Sequence, residues 1–529
     1  MFRCSAQCIA AFCLIFAGAF VETSLALEAD GPYLEAQKRF GEKWAEHDKQ
    51  VDAKLAALQK KFGKRPNIIY ILTDDVGWGE IGWQGGGRHR GAPTPALDKM
   101  AFEGMRFWSA YAEPSCTPTR IAIMTGRHPV RTGLLSVLWP GQTDGLSPDE
   151  VTVAEVLSEA GYHTAMWGKW HLGEEAEHAP ENQGFDYAYY GLFNGAPDWW
   201  QAGYQDKSGT FPFADFPGNK EYLARTGIDL SVGGYVGEKG KERKPIKGLA
   251  GELSPQRQEA FENESIKQII SFVKEKSKSD KPFFVYWASY TLQISASEEF
   301  MNAPGVDKNN RQASFMVMHN KHVQMLMDTL KAEGIAENTL LVWISDNGPM
   351  YAFWPTAGYT LLKGAKGDVT EGGVRVPAMA WWPGMIEPGQ DPDDFWHVTD
   401  LFTTAARLAS ATDKIPSDRI TDGIDQTPLF LLGDGHSRRN YIFHYSGATL
   451  GAVRYEDFKI HIKASHGGLP GMDFFNIRRD PGEKFGELYP GLFAVTPVQL
   501  IMRQHQGRTA KFPHRSPETA QEAQLTPHD

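Results

Sequence analysis

The segment Pro114-Ser115-Cys116-Thr117-Pro118-Thr119-Arg120 carries the cysteine on which the chemistry of this chain can turn. Of the four cysteines, Cys4, Cys8 and Cys13 lie in an apolar N-terminal stretch, which leaves Cys116 without a partner in the body of the chain. Thr117 has a hydroxyl that can cap a helix, and Pro118 suits the first helical position. Cys116 is therefore expected just before a helix N-terminus, in a field that favours anions. Arg120 follows four residues later, so in a helical turn its guanidinium shares a side with the thiol. A structural cysteine beside an ordinary helix start would show the same local pattern, and the residues that separate the two readings lie far away in the sequence.

Asp74-Asp75 and Asp346-Asn347 are two pairs of oxygen-bearing side chains, and each pair ends an apolar run. Carboxylate and amide oxygens suit a hard cation such as Ca²⁺ or Mg²⁺, and the absence of cysteine or paired histidine ligands disfavours zinc there. Neighbouring residues of a strand point to opposite faces, so both members of a pair reach one ion only where the strand is turning. Gly77 and Gly348 are expected to ease those turns. Taken singly, either pair also reads as an ordinary loop after a strand. Lys169 and His171 in Gly168-Lys169-Trp170-His171 share a side if the segment stays extended, and a glycine-rich loop over residues 364–377 presents Lys366.

Elements to hold these groups are visible in the pattern. Residues 67–72 and 340–345 are short apolar, β-branched runs that read as buried strands stopping at the two oxygen pairs, and open α/β sheets gather their sites at such carboxyl ends. Residues 162–167 and 282–288 read as further strands, and residues 151–160 and 315–330 as helices. After about Gly433 short strands such as 441–444 and 458–462 alternate with turns, which places a small antiparallel unit at the C-terminal end. The expected fold is α/β, a large, mostly parallel mixed sheet flanked by helices, with that smaller antiparallel unit.

The expected organisation is a secretory signal over 1–26, a helical extension over 27–64, an α/β catalytic domain over 65–433, an antiparallel subdomain over 434–508 and a polar tail over 509–529. In the extension, Phe40, Trp44, Val51, Leu55 and Leu58 approximate one helical face, expected to pack on the main domain, with a homodimer contact as the alternative. Residues 198–256 read as a loop-bearing insertion in which Trp199, Trp200 and Tyr204 could stack on a substrate ring, and the run Lys239, Lys241, Arg243, Lys244 and Lys247 reads as a solvated loop. A signal followed by no apolar segment long enough to span a bilayer implies export to the periplasm or the extracellular space. There an unpaired thiol is a liability unless chemistry uses or converts it. The net charge of −11, from 54 Lys+Arg against 65 Asp+Glu, speaks against a general nucleic-acid or anionic-membrane binder.

Cys116-x-Pro118-x-Arg120 followed by Met124-Thr125-Gly126 resembles the signature of the type I sulfatases within the alkaline phosphatase superfamily. Asp74-Asp75, Gly-Lys169-Trp-His171, Ser-Asp346-Asn347-Gly and Lys366 before Glu-Gly-Gly-x-Arg-Val-Pro follow in the family's order, and Phe475-Asn476-Ile477-x-x-Asp480-Pro481-Gly482-Glu483 resembles its C-terminal strand and turn. The likeness spans roughly residues 65–490. It implies that a formylglycine-generating enzyme oxidises Cys116 to formylglycine, whose hydrate attacks the sulfur of a sulfate ester, displaces the alcohol or phenol and later expels the sulfate. It also implies that Asp74, Asp75, Asp346 and Asn347, together with the residue at 116, hold a cation that is normally Ca²⁺. Lys169 and Lys366 would clamp the sulfate, Arg120 would orient the diol and His171 would assist the hydroxyl chemistry.

One departure bears on the substrate. Where the family's pattern has a histidine that protonates the leaving oxygen, this chain has Gln293, followed by Ile294-Ser295. Glutamine can hydrogen-bond the leaving oxygen but has no acid proton to give, which costs typically 10²–10⁴-fold when the leaving group needs one. The expected substrate is therefore a small-molecule or carbohydrate sulfate ester with a good leaving group, above all an aryl ester. The alternatives are a phosphonate monoesterase or phosphodiesterase on the same scaffold, and a non-catalytic binder of sulfated ligands.

Overall fold

The computed structural model describes residues 27–139, 142–193, 233–246, 255–291, 298–308, 310–354, 357–466, 469–486 and 488–515. The expected signal, the ring cluster of Trp199, Trp200 and Tyr204, Lys247 and Gln293 lie outside the described residues.

The main sheet is built from β1 (Asn67–Thr73), β2 (Met105–Tyr111), β3 (His163–Lys169), β4 (Tyr187–Gly191), β5 (Gly234–Glu238), β6 (Lys244–Pro245), β7 (Phe283–Ala288), β8 (Thr339–Ser345), β9 (Arg375–Trp381) and β10 (Phe395–His397). Their order across the sheet is β10-β2-β9-β8-β1-β7-β3-β4-β5-β6. The stretch from β8 through β1, β7 and β3 to β4 is parallel throughout, which is why these strands are apolar on both faces. Along β1, Ile68, Tyr70 and Leu72 enter one core layer while Ile69 and Ile71 enter the other. Helices α1 (Gly31–Phe62) and α2 (Pro95–Glu103) show the two sides of this arrangement. Val51 and Leu58 of α1 join the first layer; Leu97 and Met100 of α2 join the second, beside the long helix Arg311–Ala332.

A second, four-stranded antiparallel sheet follows, with β11 (Tyr441–Ser446), β12 (Thr449–Tyr455), β13 (Phe458–His466) and β14 (Leu469–Asn476) in sequence order. The helix Leu488–Lys511 packs Ala494, Val498 and Ile501 against Tyr441, Phe443, Val453 and Phe474 of that sheet. This helix is absent from the sequence-based expectation and runs past the point where a polar tail was to begin. It carries Pro497 in its interior, so its stability comes from the apolar face it buries rather than from propensity. The basic run after β5 is exposed at Lys239, Lys241 and Lys244, as a solvated surface would be.

Candidate active site

β1, β8 and β3 run parallel with β7, so their carboxyl ends reach one edge of the sheet, and each hands over a polar residue there: Asp74 and Asp75 after β1, Asp346 and Asn347 after β8, Lys169 as the last residue of β3. Asp75 has a φ of 61°, a left-handed conformation that non-glycine residues rarely adopt; it turns the chain so that both aspartates face one point. Gly77 and Gly348 do not supply the turn, contrary to expectation, since neither has positive φ. They permit close approach instead: a Cβ on Gly348 would lie 1.8 Å from the Gly372 carbonyl oxygen, and one on Gly77 would lie 2.1 Å from that of Tyr359.

The donor set is compact. Ligand atoms of Asp74, Asp75, Asp346 and Cys116 all lie within 4.8 Å of one another, and all four residues are buried. The Asp75 backbone N–H donates to Asp346 Oδ1 at 3.1 Å, and Asn347 Nδ2 donates to Asp75 Oδ1 at 2.6 Å and to the Gly348 carbonyl at 2.7 Å. Those bonds fix the amide so that Asn347 Oδ1, fully buried, is left with no hydrogen-bond partner. An orphaned amide oxygen beside three buried carboxylates fits a hard divalent cation.

Cys116 is the first residue of α3 (Cys116–Thr125), not the residue before it, and Ser115 occupies the cap position without a side-chain bond. Thr117 does not cap the helix. Its hydroxyl donates to the His171 carbonyl at 2.9 Å and accepts from the Leu138 N–H at 3.3 Å, a cross-link between distant loops that outcompetes the local bond. The thiol is buried, 2.9 Å from Lys366 Nζ and 3.4 Å from Asp74 Oδ1. Burial, reinforced by the charges of Asp346 and Asp74, pushes its pKa well above the ordinary thiol value despite Lys169 and Lys366. A cysteine held in this way is a poor thiolate nucleophile.

Cationic side chains complete the cluster. Lys169 Nζ lies 2.6 Å from Asp74 Oδ2, Lys366 Nζ lies 2.7 and 3.0 Å from the two oxygens of Asp75, and Arg120 donates to Asp346 Oδ2 at 2.9 Å and to the Lys169 carbonyl at 2.8 Å. Burial would raise the Asp74 carboxyl, but Lys169, Lys366 and Arg120 together hold it well below the usual carboxylate range. Asp346 goes the other way, pushed up to about 7 by burial and by the charge of Asp74, with Arg120 opposing. Three carboxylates thus face three basic side chains, and a divalent ion held among them would leave the pocket net positive, an environment that suits an anion.

His171 also has a left-handed backbone, with φ 59°, and the extended alternation expected from Lys169 stops at the end of β3. Its Nε2 lies 2.9 Å from the Leu138 carbonyl, so Nε2 carries the proton and Nδ1, buried and without a partner, presents a lone pair. Burial, followed by the charges of Lys169 and Arg120, holds its pKa well below that of an ordinary imidazole. The site thus contains a neutral histidine with a free basic nitrogen. Of the residues expected in catalysis, sulfate binding or metal ligation, Gln293 alone falls outside the described residues.

Some supporting residues were not anticipated. Tyr286 on β7 has a buried hydroxyl that faces Arg120, its pKa pushed up to about 12 by burial although the Arg120 charge opposes the shift. The loop bearing Lys366 is held by the Gly367 N–H donating to the Pro114 carbonyl at 2.7 Å and the Lys366 N–H donating to that of Pro349 at 3.0 Å. Beneath it, Lys459 of β13 donates to Glu371 Oε1 at 3.0 Å, while Glu483 accepts from the Glu371 N–H at 2.8 Å. The second sheet therefore braces the loop. Glu371, in the Glu-Gly-Gly motif, and Glu483, within the C-terminal turn motif, had a signal in the sequence; Lys459 had none.

Comparison with known proteins identifies the family. The family model for sulfatases matches residues 66–411. N-acetylgalactosamine-6-sulfatase of Canis lupus familiaris is 32% identical over 493 residues, covering 83% of this chain and 86% of that protein. Arylsulfatase A of Homo sapiens is 34% identical over 468 residues, covering 82% and 85%. The crystal structure of the PsFucS1 sulfatase from Pseudoalteromonas sp. matches with a TM-score of 0.80 at 33% identity, covering 89% of this chain and 96% of that one. A family model that matches more than half of the chain, and relatives 32% and 34% identical over more than four-fifths of it, show that the chain belongs to the sulfatase family and is a sulfuric ester hydrolase.

Proposed function

We infer that this hydrolase works through formylglycine formed at Cys116, with Ca²⁺, or alternatively Mg²⁺, held by Asp74, Asp75, Asp346 and Asn347. The observation that carries this reading is the buried Cys116, whose thiol is kept from ionising yet sits among cation ligands and two lysines. Formylglycine supplies a hydrated aldehyde as nucleophile, and the divalent ion supplies a positive charge at the sulfate oxygens. The remaining work belongs to the chain. Lys169 and Lys366 exchange part of their contact with Asp74 and Asp75 for the sulfate and hold its sulfur in line with residue 116. Arg120, tied to Asp346, orients the nucleophilic hydroxyl, and Nδ1 of His171 takes a proton from it.

The names of two relatives, an N-acetylgalactosamine-6-sulfatase and an arylsulfatase, span carbohydrate and aryl esters. Gln293 tips the choice here toward esters whose leaving group departs unprotonated. Maturation by a formylglycine-generating enzyme and export to the periplasm or extracellular space belong to the same reading. Among the described residues no helix is long and apolar enough to cross a membrane. Mass spectrometry of the Cys116 peptide, with rates on a series of aryl and sugar sulfates from the same preparation, tests it. The expected result is modified Cys116 and a rate that falls steeply as the leaving-group pKa rises. Unmodified thiol with full activity would sink the mechanism, and a flat leaving-group series would sink the role of Gln293. Phosphonate and phosphodiester esters of the same phenol complete the panel, and faster turnover of either would favour the phosphoryl reading.

A further inference from the structure

We propose that Glu113, His128 and His397 form a second metal site, of the zinc class, behind the helix that carries the nucleophile. One ligand atom from each residue lies within 4.8 Å of the others, and all three residues are buried. His128 Nδ1 lies 2.7 Å from Glu113 Oε1, and His397 Nε2 lies 3.8 Å from the same oxygen. These separations bracket the roughly 3.3 Å between ligand atoms that tetrahedral bonds of about 2.0–2.1 Å require. Two imidazoles and a carboxylate are a borderline donor set that selects zinc over calcium, unlike the oxygen cluster around Asp74.

A ligand is indicated by a second observation. His397 Nε2, fully buried, has no hydrogen-bond partner, although its Nδ1 lies 3.0 Å from Thr399 Oγ1. The Thr399 N–H donates to Nδ1 at 3.3 Å, so Nε2 carries the proton in the metal-free protein; ligation at Nε2 would displace that proton and leave Nδ1–H to donate to Thr399 Oγ1. His444 on β11, also buried, likewise has an unpartnered Nε2. Burial, reinforced by the charge of Lys459, holds its imidazole neutral.

The position gives the site a purpose. β10 pairs in parallel with β2, matching His397 to Tyr111, and Glu113 follows β2 while His128 follows α3. Metal ligation would therefore clamp both ends of the nucleophile's helix to the sheet. The Glu113 backbone is already bonded to Thr119 of that helix, whose hydroxyl also donates to the Asp346 carbonyl.

The test is zinc stoichiometry and location in the mature full-length protein, equilibrated with Zn²⁺ and then dialysed against Ca²⁺. Elemental analysis should find one retained zinc per chain, and anomalous scattering at the zinc edge should place it between His128, Glu113 and His397. His397→Gln should lose that zinc and keep its calcium. No retained zinc, an anomalous peak at the Asp74 cluster instead, or undiminished zinc in His397→Gln would each overturn the proposal. If the variant does not fold, the wild-type anomalous map decides the question alone.

Discussion

Replacing Lys366 with Gln should move two properties in opposite directions. In the structure its ammonium bridges Asp75, at 2.7 and 3.0 Å, and Cys116 Sγ, at 2.9 Å, so it occupies ground that both the cation and the sulfate need. Losing one preorganised donor at a developing oxyanion costs about 2.7–4 kcal/mol, or roughly 10²–10³-fold in kcat. The same change removes a positive charge from beside the cation. Two unit charges 4 Å apart interact by about 4 kcal/mol at an effective dielectric constant of about 20, and a divalent ion doubles that repulsion. If desolvation and rearrangement cancel most of it, about 1.4 kcal/mol still tightens cation binding tenfold. The assays are kcat on an aryl sulfate at saturating Ca²⁺ and Ca²⁺ affinity by calorimetry on stripped protein. A misfolded variant would lose both properties. Weaker Ca²⁺ binding together with lost activity, or a kcat within threefold of wild type, would refute the assignment of Lys366 to both charges.

His171→Gln cannot take a proton at the Nδ1 position and should lower kcat by about 10²–10⁴-fold with little change in KM; retention of a tenth of the activity would remove His171 from the chemistry. His319 accepts a bond from Trp343 Nε1 at 2.9 Å, and burial lowers its pKa to about 3, with His322 adding to the effect. The unfolded imidazole binds a proton below about 6.5 and the folded one does not. This group therefore leaves stability untouched above pH 6.5 and erodes it by about 1.4 kcal/mol per pH unit as pH falls from there toward 3. His319→Gln keeps an acceptor for Trp343 and should flatten the acid limb of a melting-temperature profile; an unchanged slope would show that His319 is not its source. Gly348→Ala drives a methyl into the Gly372 carbonyl and should destabilise by about 1–3 kcal/mol, weakening Ca²⁺ binding as Asn347 is displaced, both readable by thermal melts with and without the ion.

The parallel core was legible because buried strands announce themselves as short apolar runs, and those ending at Asp74 and Asp346 stop where the polar residues begin. Lys169 and Lys366 were legible through their motifs rather than through any local physical signal. The left-handed backbones of Asp75 and His171 were not, because neither position carries the glycine that would mark such a turn. Thr117 was misread because its hydroxyl has an acceptor 54 positions away that no local rule weighs against capping. The brace from Lys459 to Glu371 and Glu483 depends on three segments meeting, and the helix Leu488–Lys511 depends on a sheet that must form first.

The burial of Cys116 sets an order of events in the life of the molecule. The side chain has no accessible surface, and Lys366 and Asp74 already rest against its sulfur. If Cys116 is converted as proposed, the converting enzyme must reach it before the fold closes, and conversion and folding then race for the same few residues. A chain that folds first seals in an unconverted thiol, and stability, ordinarily a benefit, then preserves the failure. On that reading the yield of active protein is a kinetic quantity, raised by whatever delays closure of the sheet edge over residue 116.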